Sequence, residues 1–508
     1  MATDATSSFA APAAGYGNPA ADRNRLSPVV WIFLFFVTIP IEFNIGPVSL
    51  SPLRVLLLFM IIPMTSRLFS GRFGKVMLTD YLFFIHILWA CMAVAINNPS
   101  RAVENAGSTA VEFLGGYLVA RAYVRTPAHL ETVVKIIVLL VAISIPFALY
   151  ESRTGHAVIP NLINKLPGLK SVKQVIAPKR HGMYRVQYVF AHPIHYGLFC
   201  SVSISLLLVG LRDRVSATRR YVGAGIAMFG LLLALSSGPL LAVMIQLGLA
   251  TWARMFNKVQ RKWLLLLGMF AFAYIVVDLI SNRTPMKVLM SYVTFSAQTA
   301  YYRSIIYDWG MRNVWANPIF GLGLRMWVRP SYMITGTVDN FWLLTTMRYG
   351  IPGFVFLAVG YASGLYRIAR ADLSFSDPVS RLRFAWIITF CGITFTLITV
   401  HVWSAMYSFT FFFFGTGMWM IGYGDDPANR GDQPQPAAAP ARRKSGYARE
   451  LPREPSRARE DPRVREDRPA YRRAAAPEPE HDSANAPANP TPKSPYTRFA
   501  RRPNPPRR

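Results

Sequence analysis

The stretch Val133-Val-Lys-Ile-Ile-Val-Leu-Leu-Val-Ala-Ile-Ser-Ile-Pro-Phe-Ala-Leu-Tyr150 contains a single charged residue, Lys135. As a helix it would be about 27 Å long, close to the thickness of a bilayer's hydrocarbon core. It lacks the polar face that a helix at the surface of a water-soluble domain needs. Moving outward along the chain, comparable blocks recur near residues 29–44, 50–65, 78–96, 106–121, 193–211, 221–236, 238–254, 263–281, 340–365, 384–400 and 405–422. The pair 221–236 and 238–254 is divided only by Ser236-Ser237-Gly238-Pro239, where Gly-Pro marks a break. The pattern predicts an all-α membrane protein, a polytopic bundle of about twelve transmembrane helices.

Charge gives the bundle an expected orientation. Of the 508 residues 52% are hydrophobic and 16% charged, and the net charge is +29. With the N-terminus inside, the cytoplasmic connections hold Arg67, Arg72 and Lys75, then Arg121 and Arg125, then Arg212, Arg214, Arg219 and Arg220. Arg254, Lys258, Arg261 and Lys262 follow, and then Arg367, Arg370, Arg381 and Arg383. The short outside connections lack Lys and Arg apart from Arg101. This is the asymmetry of the positive-inside rule, with both termini cytoplasmic. The basic excess therefore points to anionic lipids, not to nucleic acid.

Residues 1–28 are rich in Ala, Ser and Gly and are expected to be a disordered cytoplasmic N-terminus. They lack a signal-peptide cleavage pattern, so the first apolar block is expected to be retained. Residues 29–424 form the expected membrane domain. From 425 to 508 Pro, Ala, Arg and Glu dominate, a composition that cannot bury enough surface to fold, so a disordered basic cytoplasmic tail is expected. The three cysteines, Cys91, Cys200 and Cys391, lie inside apolar blocks and suit packing better than a disulfide framework or a zinc site.

Two outside connections depart from the charge rule. Residues 151–192 carry Arg153, Lys165, Lys170, Lys173, Lys179, Arg180 and Arg185, and residues 282–339 carry Arg283, Lys287, Arg303, Arg312, Arg325 and Arg329. Long loops tolerate such charge, and an anionic ligand outside would account for it. Within the second loop Tyr302, Ile305, Ile306 and Trp309 recur at helical spacing, as in an amphipathic helix lying on the outer membrane face.

The candidate chemistry lies in these outside segments. The sequence contains no Walker-type phosphate loop, HExxH or GxSxG motif. In Arg185-Val-Gln-Tyr-Val-Phe-Ala-His192-Pro193-Ile-His195, Pro193 suits the first turn of an inward-running helix whose N-terminus favours an anion. Arg185 would grip phosphate, while His192 serves either as a cap or as a catalytic group. His195 is either catalytic or packed in an interface. Arg303 precedes the turn Pro318-Ile-Phe-Gly321-Leu-Gly323. Asp339 or Asn340 can cap the next span, and Gly350-Ile-Pro-Gly353 would interrupt it beside Arg348.

Taken in order, these segments resemble the O-antigen ligase and O-antigen polymerase superfamily of bacterial glycan assembly. The resemblance rests on Arg185 with Phe190 and His192-Pro193, then Ser236-Ser237, then Arg303 with Pro318 to Gly323, then Asn340 with Gly350 and Gly353. It covers roughly residues 185–360. Two positions depart from the pattern. Ser237 is followed by Gly238-Pro239 in place of an Arg, and Asp339 stands where ligases commonly carry His. The latter favours a polymerase of exopolysaccharide or O-polysaccharide. A ligase joining glycan to lipid A-core or protein is the alternative.

The resemblance implies a GT-C-type membrane glycosyltransferase in the bacterial inner membrane, active on the periplasmic face and needing no cofactor or metal. Its implied partners are an undecaprenyl-diphosphate-linked oligosaccharide and an acceptor glycan, with a chain-length regulator or export complex as a further candidate. Asp339, His192 and His195 become the candidate catalytic residues, with Asp339 the first choice. Arg185, Arg303 and Arg348 become the diphosphate ligands. Asn340, Gly321, Gly323 and Pro193 become positioning residues. About twelve spans also fit a secondary transporter or a lipid-linked glycan flippase, but the two halves show no internal repeat.

Overall fold

In the computed structural model, the described residues are 25–46, 48–175, 179–282, 288, 297–333 and 335–425. The tail beyond 425 and the first 24 residues, both expected to be disordered, lie outside them. The chain begins with α1 (Pro28–Val37), a short antiparallel hairpin of β1 (Phe43–Ile45) and β2 (Val48–Leu50), and α2 (Pro52–Phe69). It continues through α3 (Leu78–Asn97), α4 (Ala102–Tyr123), α5 (Pro127–Thr154), the short α6 (Val158–Ile163) and α7 (Pro193–Ser201), which runs on through a π-helical turn at Leu206–Gly210. Then come α8 (Ala217–Leu233), α9 (Ser237–Met255), α10 (Lys262–Ile280), α11 (Ala297–Ala316), α12 (Phe341–Arg370), α13 (Asp377–Thr399) and α14 (Ala405–Gly415).

Helices fall in each of the intervals expected to span, but they are not equivalent. Seven among the described residues are long and apolar enough to cross a membrane: α2, α3, α5, α7 with its continuation, α10, α12 and α13. The first block divides into a ten-residue helix and the hairpin. The last one yields the eleven-residue α14, about 16 Å of helix, and a short 3-10 helix at Met418–Ile421. Nearly all of α14 is buried, with Phe409 and Phe411 to Phe414 at most 1% exposed. It packs against α4 through glycines. A Cβ on Gly116 would sit 2.3 Å from the Ser408 carbonyl oxygen, and one on Gly415 would sit 2.7 Å from that of Tyr117. Small residues let two helix backbones close up where apolar surroundings offer no hydrophobic drive. At the other extreme, α10 buries no residue and is apolar on every side, as suits a helix facing lipid.

Helix starts follow the sequence signals. Ser51 accepts from the Arg54 amide at 3.2 Å and Thr126 from that of His129 at 3.2 Å, each followed by proline in the first turn. Two ion pairs join helices: the Arg54 Nε lies 2.9 Å from a Glu112 carboxylate oxygen, and Arg121 lies 3.6 Å from Asp80. The three cysteines are free.

The helix expected on the membrane surface is present as α11, but its apolar stripe is used differently. Ile305 and Ile306 are buried in one cluster with Leu343 and Met347 of α12, while Tyr302 is exposed. Packing on another helix consumes the centre of the stripe, so α11 is held as part of the protein body.

Candidate functional site

The segment before α7 is held by a buried carboxylate. Glu151, at the end of α5, accepts from the backbone amides of Gln187 at 2.8 Å and Tyr188 at 2.9 Å. Tyr188 adopts φ 54°, an uncommon conformation for a residue of its size. Val186 donates to the Leu233 carbonyl at 3.2 Å. These bonds fix Arg185 in a strap across the ends of α5 and α8. His192 then caps α7, its Nδ1 accepting from the Ile194 amide at 3.1 Å, with Pro193 in the first turn. Opposite the strap, Leu235 takes φ 45° just before Ser236-Ser237, and its carbonyl accepts from Arg180 at 2.7 Å.

A second construction carries Arg348. Within α12, Gly350 has φ 73° and ψ 178°, so the helix is broken there. Pro352 provides no N–H, which frees the Arg348 carbonyl. The turn after α11 takes up the freed groups: Leu322 donates to the Met347 carbonyl at 2.7 Å, Gly323 to that of Arg348 at 2.9 Å, and Ile351 donates back to Pro318 at 2.7 Å. From the other side, Trp89 of α3 donates to the Tyr349 carbonyl at 2.9 Å, and His86 Nδ1 lies 2.8 Å from that of Gly353. A Cβ on Gly350 would lie 2.0 Å from the Ile319 oxygen, and one on Gly321 would lie 2.6 Å from the Arg348 carbonyl carbon and oxygen. The Pro-x-x-Gly-x-Gly turn and the Gly-x-x-Gly step are therefore two halves of one lock. Asn340 starts α12, accepting from the Leu343 amide at 3.0 Å.

These pieces enclose a cavity of about 660 Å³. Arg180, Arg185, Arg303 and Arg348 line it together with Asp339, His192, His401, Trp403 and Ser236-Ser237. Four guanidinium groups thus face one carboxylate. Arg303 donates to the Thr399 carbonyl at 3.2 Å, but its Nε and that of Arg185 are buried without a hydrogen-bond partner. Buried donors left in this way are stabilised by an incoming anion.

The local electrostatics separate the titratable groups. Burial, then Arg180, lowers the Arg185 pKa to about 10, with Asp339 opposing; it stays charged at neutral pH. Burial raises the Asp339 carboxyl above its usual range, while Arg303 and Arg185 pull it back down. Burial and the neighbouring cations push His192 and His401 down to about 3, so both are neutral imidazoles under ordinary conditions.

The cavity thus collects Asp339, His192, Arg185, Arg303 and Arg348 from three distant stretches of sequence. The other expected residues have different places. His195 is 1% exposed, and its Nε2 lies 3.1 Å from the His401 carbonyl. Its ring is 4.1 Å from that of Trp403, so it supports the wall of the large cavity and does not line it. Pro193, Asn340, Gly321 and Gly323 shape backbone away from the cavity lining. Of the charged and aromatic lining residues, Arg180, His401 and Trp403 were not among the candidates drawn from the sequence. The first is one basic residue among many in its loop. The other two lie in the short connection between α13 and α14, where only a polar His401-Val-Trp403-Ser404 run between apolar blocks hints at them. Ser404 in that run has φ 51°, and strained backbone of this kind gathers at functional sites. Among the described residues no group of three His, Cys, Asp or Glu side chains is arranged to hold a metal ion.

Residues 222–358 match the family model of the O-antigen ligases. The matched region contains Ser236-Ser237, Arg303, the 318–323 turn, Asp339 and the broken start of α12, and it supports membership of the O-antigen ligase and polymerase superfamily. No curated protein matches the chain.

Proposed function

We propose that this chain, a multi-pass membrane protein of the O-antigen ligase and polymerase superfamily, is a polymerase of a bacterial surface polysaccharide. It would transfer glycan from undecaprenyl diphosphate to a sugar hydroxyl. The observation that carries this reading is the cavity where Arg180, Arg185, Arg303 and Arg348 face a single carboxylate. Such a site favours a dianionic or more highly charged group over a neutral solute. The unpartnered Arg185 and Arg303 Nε atoms supply donors for phosphate oxygens.

In the reaction, the acceptor oxygen forms a bond to the anomeric carbon as the bond from that carbon to the diphosphate oxygen breaks. The electron pair leaves on the diphosphate, where preorganised guanidinium groups stabilise the growing charge. The hydroxyl proton passes to Asp339, whose raised pKa makes it a better base than an exposed aspartate. His192, uncharged, holds the start of α7 beside the site. The basic cavity lies on the periplasmic face in this reading, with about twelve crossings of GT-C type and both termini in the cytoplasm.

The match to the O-antigen ligase family favours a ligase as the second reading. Deleting the gene separates the two. A polymerase deletion leaves single repeat units attached at the surface, whereas a ligase deletion leaves lipid-linked polymer accumulating without attachment. Reconstitution of the chain with its lipid-linked repeat unit tests the proposal directly: chain growth supports it, and no growth with intact protein overturns it.

A further inference from the structure

A second, smaller cavity of about 80 Å³ adjoins the basic one. The two share Leu344, Arg348, His401 and Trp403 as a common wall. Beyond that wall the chemistry changes. The smaller cavity is lined by Glu112 and Tyr407, with Thr345 and Ser404 beside them. Glu112 is 7% exposed, and one of its carboxylate oxygens is held 2.9 Å from Arg54 Nε. Arg54 is in turn fixed by donating to the Ser49 carbonyl at 2.8 Å. The Nδ1 of His401, in the shared wall, is buried and has no hydrogen-bond partner.

We propose that this smaller chamber is the acceptor subsite, seating one edge of an uncharged sugar against Glu112, Tyr407 and Trp403 while its reacting hydroxyl points past the shared residues into the chamber that holds Asp339. The assignment rests on the donor reading of the basic cavity and extends it. With Glu112 neutralised by Arg54, the chamber offers a diphosphate only Arg348 in place of the four guanidinium groups of the basic cavity, whereas sugar hydroxyls can donate to the second Glu112 carboxylate oxygen. An indole face and a phenol beside a fixed carboxylate offer an apolar surface with a few placed polar groups, the composition of a ligand site. The volume admits a hydroxyl-bearing edge and excludes a whole repeat unit, which leaves the rest of the acceptor outside. Entry from this side brings a hydroxyl to the shared wall, where Arg348 also faces the donor chamber. Glu112 is a binding residue here, and the proton acceptor remains Asp339.

Proteoliposomes of the full chain test this, with the cells' own lipid-linked repeat unit as donor. The delipidated repeat-unit oligosaccharide serves as acceptor, and free undecaprenyl diphosphate as an inhibitor reporting on the donor chamber. Glu112→Gln and Tyr407→Phe are each expected to raise the oligosaccharide KM about tenfold and to leave inhibition by undecaprenyl diphosphate unchanged. Arg185→Ala is expected to do the reverse. Tyr407→Phe removes one hydroxyl and leaves Arg54 paired, so it decides the matter even where Glu112→Gln disturbs folding. An unchanged oligosaccharide KM in Tyr407→Phe, or an equal loss of diphosphate inhibition, overturns the acceptor assignment. Undiminished diphosphate inhibition in Arg185→Ala overturns the donor reading instead.

Discussion

Arg185, which precedes the matched region, and Arg303, within it, line the same cavity, and each keeps a buried Nε without a partner. A charge-assisted hydrogen bond to phosphate contributes about 1.5–3 kcal/mol, so Arg185→Ala or Arg303→Ala should cut polymer formation by about ten- to a hundredfold. Lysine at either position should restore part of it, since it replaces the charge but not the fork geometry. Membrane levels of the variants, read by immunoblot, separate this from a folding defect, and wild-type polymer in both alanine variants would refute the role. Asp339 makes a different prediction. As the base it works deprotonated, so transfer should fall as pH drops through its raised pKa. Arg303→Ala removes the cation that counts most in lowering that pKa, so the acid limb should move to higher pH. Asp339→Asn should remove the limb along with most of the rate. His192 and His401, with pKa values of about 3, should contribute nothing to the profile above pH 5. An acid limb that persists in Asp339→Asn would disqualify this carboxyl as the base.

At the scale of elements, the broken start of α12 deserves the closest test, because Arg348 depends on it. Gly350→Ala would place a Cβ 2.0 Å from the Ile319 oxygen while forcing φ 73° on a residue that resists it. The backbone strain alone is about 1–3 kcal/mol, and the collision adds to it. A lowered Tm in detergent together with loss of polymer is the expected outcome, and wild-type behaviour in both would show that the lock between turn and helix is dispensable. This lock also marks what could be read in the sequence. Gly350, Pro352 and the 318–323 turn were visible as a break and a turn, because glycine and proline announce backbone requirements locally. That the turn amides satisfy the carbonyls of the break was not visible, since it depends on a contact between segments about 30 residues apart. The same limit applies to the site. Arg185, His192 and Asp339 precede helix-start signals, Arg303 precedes a Pro-Gly turn and Arg348 stands beside a Gly-Pro break, which is why they could be picked out. His401 and Trp403 reach the cavity from a loop about 60 residues further on and carry no such marker. Helix existence was legible from apolar blocks, but the shortness of α14 was not. Its Phe run reads as one continuous helix, whereas α14 ends at Gly415 and is buried among other helices.

For the whole molecule, the distribution of charge has to agree with the direction of the chemistry. Loops rich in Arg and Lys resist translocation, and those rich clusters alternate with nearly uncharged connections along the chain. The basic cavity draws on residues 180–192, 303 and 336–339, which belong to the two long connections assigned to the opposite side, and on Arg348 near the start of the span that follows the second. The reading therefore needs Lys165 and Arg219, both exposed, to lie on different sides of the membrane. With Cys91, Cys200 and Cys391 replaced by alanine, Lys165→Cys should react with a membrane-impermeant maleimide in cells whose outer membrane alone has been opened. Arg219→Cys should react only after the inner membrane is permeabilised. The opposite pattern would put the guanidinium cavity on the cytoplasmic side, where nucleotide sugars and not lipid-linked glycans are the common donors, and the proposed polymerase would have to be abandoned. The expected pattern would make the positive charge of the two long connections intelligible: it is retained against the trend of the other loops because it lines the site for an anionic donor.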